Sequence, residues 1–172
     1  YVESLGNSSD KGLINNSDIR EINSFEEAFS FGDRTRSFLK IQDGCNYKCS
    51  FCTIPLARGK SRSGTIESVV QKARQIADLG VREIVLTGVN IGDFGMHPET
   101  TPNALNRHEN FLELIRALDQ VDHIERFRIS SIEPNLCSND IIEYVAGSDK
   151  FVPHFHMPLQ SGSNDILKRM RR

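Results

Sequence analysis

The chain has 172 residues, of which 38% are apolar and 26% are charged, and its formal net charge at pH 7 is -2. This length and composition favour one globular domain with its own core, and the small negative charge excludes a uniformly basic nucleic-acid coat protein. No signal peptide is evident, and no apolar run approaches the ~20 residues of a membrane span. We therefore predict a cytoplasmic protein without a membrane partner. In the reducing cytoplasm, clustered cysteines are more often metal ligands or redox groups than disulfides.

Both ends of the sequence differ from its middle. Residues 1–32 are rich in Ser, Asn and Gly and show no sustained period, so they are predicted to be a linker that leads into a domain. The last residues, NDILKRMRR, have a helical pattern without a C-cap signal. We expect a fragment of a longer protein whose domain occupies residues 33–172 and is truncated at its C-terminus.

Strand and helix patterns alternate through this domain. Short alternating or buried apolar runs predict strands at SFLKIQ (37–42), REIVLTG (82–88), ERFRISS (125–131) and PHFHMPL (153–159). Helical spacing predicts helices after Thr65, from Phe111, from Ser138 and after an N-cap at Ser163. Strands separated by helices predict an α/β fold with a parallel sheet, either open and doubly wound or part of a βα barrel.

Polar or glycine-rich loops follow each predicted strand. In both α/β architectures the chemistry collects where parallel strands end, so the cysteine loop and the segments TGVNIGDFG, SIEPN and QSGSN are expected on one face. The long connection from Asp93 to Asn110 lies on the same face. It is either a substrate lid or a tolerated surface insertion.

The segment GCNYKCSFCTIP places Cys45, Cys49 and Cys52 within one short loop. A tetrahedral zinc site needs a fourth ligand, which folding would have to bring from His97, His108 or Cys137. A ferredoxin-type cluster normally takes four cysteines, so three would leave one iron open to a substrate or cofactor. We favour an iron–sulfur cluster with an open iron, with zinc, a disulfide or inert buried thiols as the alternatives.

Phe51 stands before the last cysteine of the CxxxCxxC motif, and this motif after a first strand resembles the radical S-adenosylmethionine superfamily. Longer segments are similar to its methylthiotransferase family, especially to the branch that acts on threonylcarbamoyladenosine in tRNA. These segments are DRTRSFLKIQDGCNYKCSFCTIPLARGKSRS, VLTGVNIGDFG, RISSIEP and PHFHMPLQSGSNDILKRMRR. The resemblance covers nearly all of the sequence from Asp33 onward.

The resemblance implies a partial (β/α) barrel of the radical S-adenosylmethionine type, truncated to about four βα units. It also implies a [4Fe-4S] cluster on Cys45, Cys49 and Cys52 and S-adenosylmethionine bound at the open iron. An electron from a donor such as a flavodoxin or ferredoxin would cleave this cofactor to a radical, so that a methylthio group can be installed on an adenine ring of tRNA. Family members carry further domains that this sequence lacks, so the resemblance implies that residues 1–32 are a linker from a missing N-terminal domain. Full turnover by this chain alone is therefore not expected.

Candidate cofactor contacts come from the four strand-end loops. The candidates are Phe51, Thr87, Gly88, Asn90, Ser131, Glu133 and Gln160. Gly88 could instead be a turn glycine, and Glu133 a surface carboxylate. No catalytic residue is identified. His154 and His156 share one strand face and are expected to be buried structural histidines, and Cys137 is interpreted as incidental.

The basic run ARGKSRSG adjoins the predicted mouth of the site. Arg58, Lys60 and Arg62 are therefore candidates for contacts with tRNA phosphates, with an ordinary solvated loop as the alternative. Two other functions remain open: a radical methylthiotransferase that acts on another tRNA adenosine or on a ribosomal protein side chain, and a non-enzymatic metal-binding or electron-transfer module.

Overall fold

The computed structural model describes residues 18–32, 35–96 and 109–172 of the chain. Its strands, in chain order, are β1 (Ala28–Phe29), β2 (Ser37–Lys40), β3 (Gln42–Asp43), β4 (Arg62–Ser63), β5 (Glu83–Thr87) and β6 (Arg126–Ile129). Its α-helices are α1 (Ile54–Arg58), α2 (Ile66–Asp78), α3 (Phe111–Asp119), α4 (Asn139–Gly147) and α5 (Asn164–Arg169). Short 3-10 turns lie at Ile19–Glu21 and Ile91–Asp93. Across these ranges, no helix has the length and apolarity to cross a bilayer.

The main sheet has the strand order β1, β2, β5, β6. Strands β2, β5 and β6 are parallel, and β1 pairs with β2 as an antiparallel edge strand. Helix α2 lies between β2 and β5 in the chain, and α3 lies between β5 and β6. The carboxyl ends of the three parallel strands therefore meet at one edge, which confirms the predicted α/β class.

Hydrophobic side chains on neighbouring strands lie opposite one another and form rows across this sheet. Leu39 of β2 is opposite Leu86 of β5, which is opposite Ile129 of β6, and all three side chains are buried. Successive strand residues point to opposite faces, so each such row can pack against helices on one side. Buried residues of the helices join these strand residues in one hydrophobic core.

Helix α2 begins and ends where local sequence signals predict. Thr65 forms a capping box with Ser68: the Ser68 backbone N–H donates to Thr65 Oγ1 at 3.1 Å, and the Thr65 N–H donates to Ser68 Oγ at 3.0 Å. Gly80 follows the helix with φ of 82°, a left-handed conformation that glycine adopts without strain. The side chain of Asn110 likewise caps α3 by accepting from Glu113 N at 3.0 Å.

The predicted first strand is divided into two parts. Strand β2 ends at Lys40, and Gln42–Asp43 leaves the main sheet to form an antiparallel ribbon with Arg62–Ser63. The ribbon closes the cysteine loop at its base, because β3 precedes the first cysteine and β4 lies beyond α1. This division brings the cysteines to the carboxyl-terminal edge of the main sheet.

The prediction of a fourth strand at residues 153–159 is wrong. This part of the chain makes only isolated parallel bridges with β6 and the residues after it, Phe127 with Phe151 and Ser131 with His156. Pro153 and Pro158 have no N–H to donate, so a continuous ladder of hydrogen bonds cannot form along this segment. The segment nevertheless follows the edge of the sheet in the parallel direction.

The predicted domain boundary at residue 33 lies too far along the chain. Phe25 is buried and lies 5.2 Å below the Lys40 ammonium, and β1 adds an edge strand to the sheet. The end of the predicted linker is therefore part of the domain. Its first residues, 1–17, lie outside the described ranges, as does most of the predicted lid between Asp93 and Asn110.

Candidate metal and cofactor site

The three clustered cysteines line one cavity of about 150 Å³ at the carboxyl-terminal edge of the sheet. Cys45, Cys49 and Cys52 are free thiols of intermediate exposure. Backbone contacts hold their loop: Cys45 N–H donates to Gly59 O at 3.1 Å, and Cys52 N–H donates to Cys49 O at 3.2 Å. The sequence thus folds locally so that all three sulfur donors face a common space.

A glycine is required at the start of this loop. Gly44 has φ of 72°, and a Cβ at this position would collide with the backbone carbonyl of Lys60. Glycine therefore allows the chain to leave β3 close to the segment that returns from α1. This close approach closes the loop around the cysteines.

The three thiols share a cavity without forming a compact site for a single metal ion. In the described residues, no group of three or more His, Cys, Asp and Glu side chains has the arrangement of a metal centre. Burial raises the pKa of Cys45, and nearby Asp93 and the other two thiols raise it further against the lowering effect of a hydrogen bond with the Tyr47 backbone. A metal must therefore displace protons from this site when it binds.

Asn90 supplies a buried polar group that has no partner among the described residues. Its side chain lines the same cavity and is 3% exposed, and neither Nδ2 nor Oδ1 makes a hydrogen bond there. Buried amides are nearly always hydrogen-bonded in native proteins. Three thiols and an unsatisfied amide at one cavity fit a thiolate-bound metal cluster with a polar ligand beside it.

The structure separates the predicted cofactor contacts into two groups. Phe51, Asn90, Glu133 and Gln160 line the cysteine cavity, whereas Thr87, Gly88 and Ser131 do not. Gly88 instead packs closely, because a Cβ there would lie 2.9 Å from Gln42 O and from Ile91 Cγ2. Ser131 accepts a 3.4 Å backbone hydrogen bond from Ile91 N–H. Both residues shape the strand-end loops behind the cavity.

Four residues of the cavity wall were not predicted, namely Tyr47, Ile54, Val89 and Arg172. Arg172 makes the most contacts among them. Its Nη2 donates to both carboxylate oxygens of Glu133, at 2.6 and 2.5 Å, and its Nη1 lies 3.6 Å from Cys49 Sγ. Its guanidinium also lies 5.7 Å from the centre of the Tyr47 ring. Tyr47 and Ile54 lie in the cysteine segment and Val89 precedes Asn90, so their positions in the sequence could have indicated them. Only folding brings Arg172 to this site.

A second cavity of about 420 Å³ adjoins the first. Four residues line both: Tyr47, Glu133, Gln160 and Arg172. The remaining wall is mostly apolar and comes from Pro134, Asn135, Pro158, Leu159, Ser161 and Leu167. An apolar space with a few polar groups at one side is typical of sites that hold a small molecule or cofactor.

The basic run does not act as one unit. Arg58 and Lys60 are exposed, but the Arg62 side chain is 8% exposed and lies 3.4 Å from Asp43 Oδ2. Its other donors bond to the carbonyls of Ser24, Arg58 and Lys60. The prediction that Arg62 contacts a phosphate is therefore wrong, because its guanidinium is buried and committed to the protein.

The remaining residues considered in the sequence analysis are four histidines and Cys137. His154 and His156 are exposed, so the expectation of buried structural histidines is wrong. Cys137 is buried in the hydrophobic core, and it does not line the cysteine cavity. His97 and His108, which were considered as zinc ligands, lie outside the described residues.

Comparison with known proteins gives consistent matches. The family described as the Radical SAM superfamily matches residues 39–172. The chain is 48% identical over 144 residues to the threonylcarbamoyladenosine tRNA methylthiotransferase MtaB of Bacillus subtilis, with 83% of this chain and 30% of that protein covered. It is 39% identical over 139 residues to the ribosomal protein uS12 methylthiotransferase RimO of Aquifex aeolicus, with 81% and 31% covered. The chain thus spans about a third of the length of these curated relatives.

The fold also matches a solved structure. Residues covering 77% of this chain superpose on 23% of the radical S-adenosylmethionine methyltransferase TsrM from Kitasatospora setae, with a TM-score of 0.56 and 16% sequence identity. This likeness concerns the fold alone, and it confirms the predicted partial barrel. The resemblance to methylthiotransferases is confirmed by the sequence relatives. The family match covers most of the chain, which therefore belongs to the radical SAM superfamily.

Proposed function

We propose that this chain is the cofactor-binding part of a methylthiotransferase that modifies the adenine ring of N6-threonylcarbamoyladenosine in tRNA. The observation that carries the proposal is the single cavity lined by Cys45, Cys49, Cys52 and the unsatisfied side chain of Asn90. The relative with this named activity, from Bacillus subtilis, is 48% identical. The RimO relative, at 39%, makes a ribosomal protein the second candidate substrate.

In this proposal Cys45, Cys49 and Cys52 hold a [4Fe-4S] cluster as thiolates, which leaves one iron without a protein ligand. When bound, the cluster and S-adenosylmethionine supply a 5′-deoxyadenosyl radical for hydrogen abstraction. The donor set fits this assignment, since three soft sulfur ligands favour iron–sulfur clusters and, among the described residues, no fourth Cys and no His lines the cavity.

The residues around the thiols bind and orient the organic cofactor. The Asn90 amide can donate to and accept from the polar end of a bound molecule, because both of its polar atoms are unpaired in the described part of the chain. Gln160 lies on the shared wall of both cavities, and the Glu133 carboxylate is held there by Arg172. Phe51, Ile54 and Val89 supply the apolar part of the wall beside the thiols.

The larger cavity is assigned to a ring of the cofactor or of the substrate. Its wall contains Pro134, Pro158, Leu159 and the Tyr47 ring, which suit contact with a planar heterocycle. The exposed Arg58 and Lys60 are assigned to phosphate contacts with the tRNA backbone. A flavodoxin or ferredoxin as electron donor and a cytoplasmic location complete the proposal.

Deletion of the gene in its host tests the substrate assignment. Mass spectrometry of total tRNA nucleosides should show that the 2-methylthio form of threonylcarbamoyladenosine disappears, while dimethylallyladenosine derivatives and ribosomal protein masses are unchanged. Loss of the modification from another adenosine or from a ribosomal protein would transfer the activity to that substrate. In the anaerobically prepared protein, absence of iron and sulfide would instead favour a zinc or other non-enzymatic module.

A further inference from the structure

Gln42 is fully buried between the cysteine loop and the loop that follows β5. The two hydrogens of its amide nitrogen Nε2 are shared among three acceptors: the carbonyls of Asp43 and Gly44, at 3.0 and 2.8 Å, and Ser61 Oγ at 2.9 Å. Its oxygen Oε1 accepts from the backbone N–H groups of Val89 and Asn90, at 2.9 and 2.8 Å. One side chain therefore joins three separate parts of the chain.

This set of partners requires a glutamine. The two carbonyls near Nε2 can only accept and the two N–H groups near Oε1 can only donate, so only one orientation of the amide satisfies them. Glutamate would keep the acceptor but would have at most one hydrogen to donate. Methionine, of similar length, would satisfy none of these groups. The contacts are buried, so each unmade bond carries the full penalty of a desolvated polar group.

The joined segments are those that carry the candidate cofactor groups. Gly44 directly precedes Cys45, and Asn90 carries the unpaired amide in the cysteine cavity. The Gln42 side chain holds the backbone at both places, although they are 46 residues apart in the sequence (90 minus 44). Gln42 therefore links the backbone beside the first thiol directly to the backbone of Asn90.

We propose that Gln42 is a positioning residue. It holds the cysteine loop and Asn90 at a separation that lets one ligand contact the metal cluster and the Asn90 amide together. The inference rests on the proposed function, because it assigns S-adenosylmethionine as that ligand. Gln42 does not line the cavity, so it acts through the residues that it holds. Binding of the cofactor should then depend on Gln42 more strongly than binding of the cluster does.

The test uses the anaerobic, cluster-loaded protein and its Gln42→Glu variant. We expect iron and sulfide contents near those of the wild type, since the three thiols remain. The dissociation constant for S-adenosylmethionine, expressed per cluster, should rise about tenfold. The change that S-adenosylmethionine causes in the electron paramagnetic resonance spectrum of the reduced cluster should be diminished. Gln71→Glu, the same chemical change on the exposed face of α2, should alter none of these values.

Gln42→Asn provides a second variant if Gln42→Glu does not retain the cluster. It keeps the amide on a side chain that is one methylene shorter, so it cannot bond to the cysteine loop and to the Val89 and Asn90 N–H groups together, and the dissociation constant should rise about threefold. Wild-type affinity and spectra in a Gln42→Glu variant that carries the cluster would overturn the role of Gln42 alone. Wild-type affinity in Gln42→Asn would overturn it where Gln42→Glu loses the cluster. A wild-type protein that does not bind S-adenosylmethionine would overturn both this inference and the proposed function.

Discussion

Arg172 Nη2 donates to both carboxylate oxygens of Glu133 on the wall shared by the two cavities, although the two residues are 39 residues apart in the sequence. Their side chains are only 12% and 16% exposed. Arg172 also approaches Cys49, and the carbonyl of Met170 accepts from Ser50 N–H at 3.0 Å. Met170 and Arg172 thus hold the segment after α5 against the cysteine loop.

A double-mutant cycle on this pair should show a clear coupling. We expect Arg172→Met and Glu133→Gln, alone and combined, to give a coupling free energy of about 1–2 kcal/mol in denaturant unfolding, because the pair is shielded from water. The exposed pair Arg116–Glu113, at 2.7 Å, is the matched control and should couple by about 0.5 kcal/mol or less. Equal coupling free energies in the two pairs would contradict the view that shielding from water strengthens the Arg172–Glu133 pair.

The four cysteines should divide into two classes. Replacement of Cys45, Cys49 or Cys52 by Ala should abolish the iron–sulfur absorption band and the bound iron, because each supplies one of three sulfur donors at the same cavity. Cys137→Ala should retain the cluster and lower the free energy of unfolding by about 1 kcal/mol, since it removes a buried group from the core. Loss of iron from the Cys137 variant would overturn the assignment of three ligands.

Local signals in the sequence were sufficient to predict α2 and its cap, because Thr65, the helical apolar spacing and Gly80 all act within a few residues. They were not sufficient for residues 153–159, where apolar alternation indicates a strand but two prolines interrupt the hydrogen bonds. The alternation of strands and helices correctly indicated the parallel direction of this segment along the sheet, whereas the apolar pattern indicated only a strand. It could not show how far the ladder of hydrogen bonds extends.

The site was predictable only in part for a similar reason. The cysteine spacing indicated a shared centre, and strand-end positions led to Asn90 and Glu133. Arg172 reaches Cys49 across 123 residues, and Gln42 reaches Asn90 across 48. Such contacts depend on tertiary packing rather than on periodicity. For the basic run, the sequence predicted a site residue that the fold does not expose. Spacing alone cannot reveal that the Arg62 side chain points into the protein.

Alkaline pH should destabilise the protein through Tyr144. Burial and a hydrogen bond to Asp119 raise the pKa of Tyr144 to about 12. The unfolded tyrosine loses its proton first, near its ordinary pKa of about 10, so the stabilisation is complete below pH 10 and is lost as the pH rises towards 12. We expect the free energy of unfolding to fall by about 1 kcal/mol more in the wild type than in Tyr144→Phe over this interval, less than the full shift would give because water screens this partly buried group. Identical pH profiles would contradict the raised pKa.

Arg62 should act in stability rather than in RNA binding. Arg62→Met would leave the buried Asp43 carboxylate and three backbone carbonyls short of a donor, and it should lower the free energy of unfolding by about 3 kcal/mol. Arg58 approaches the same Asp43 oxygen at 3.7 Å, but its side chain is 60% exposed. Arg58→Met should therefore cost about 1 kcal/mol or less. Comparable losses in the two variants would show that burial does not distinguish these arginines.

Arg58 and Lys60 should instead control the salt dependence of tRNA binding. Both side chains are exposed beside the cysteine loop, where they can release counterions from RNA phosphates. Changing both to Ala should weaken binding and reduce the slope of log affinity against log salt concentration by about 0.7 to 0.9 for each lost contact. Preference among tRNA sequences should hardly change, because phosphates carry no base information.

Arg74→Ala, which removes an exposed charge from α2, is the control and should leave the slope unchanged. An equal effect of Arg74→Ala would indicate general charge attraction, whereas normal affinity and slope in the double variant would make the Arg58–Lys60 run an ordinary solvated loop.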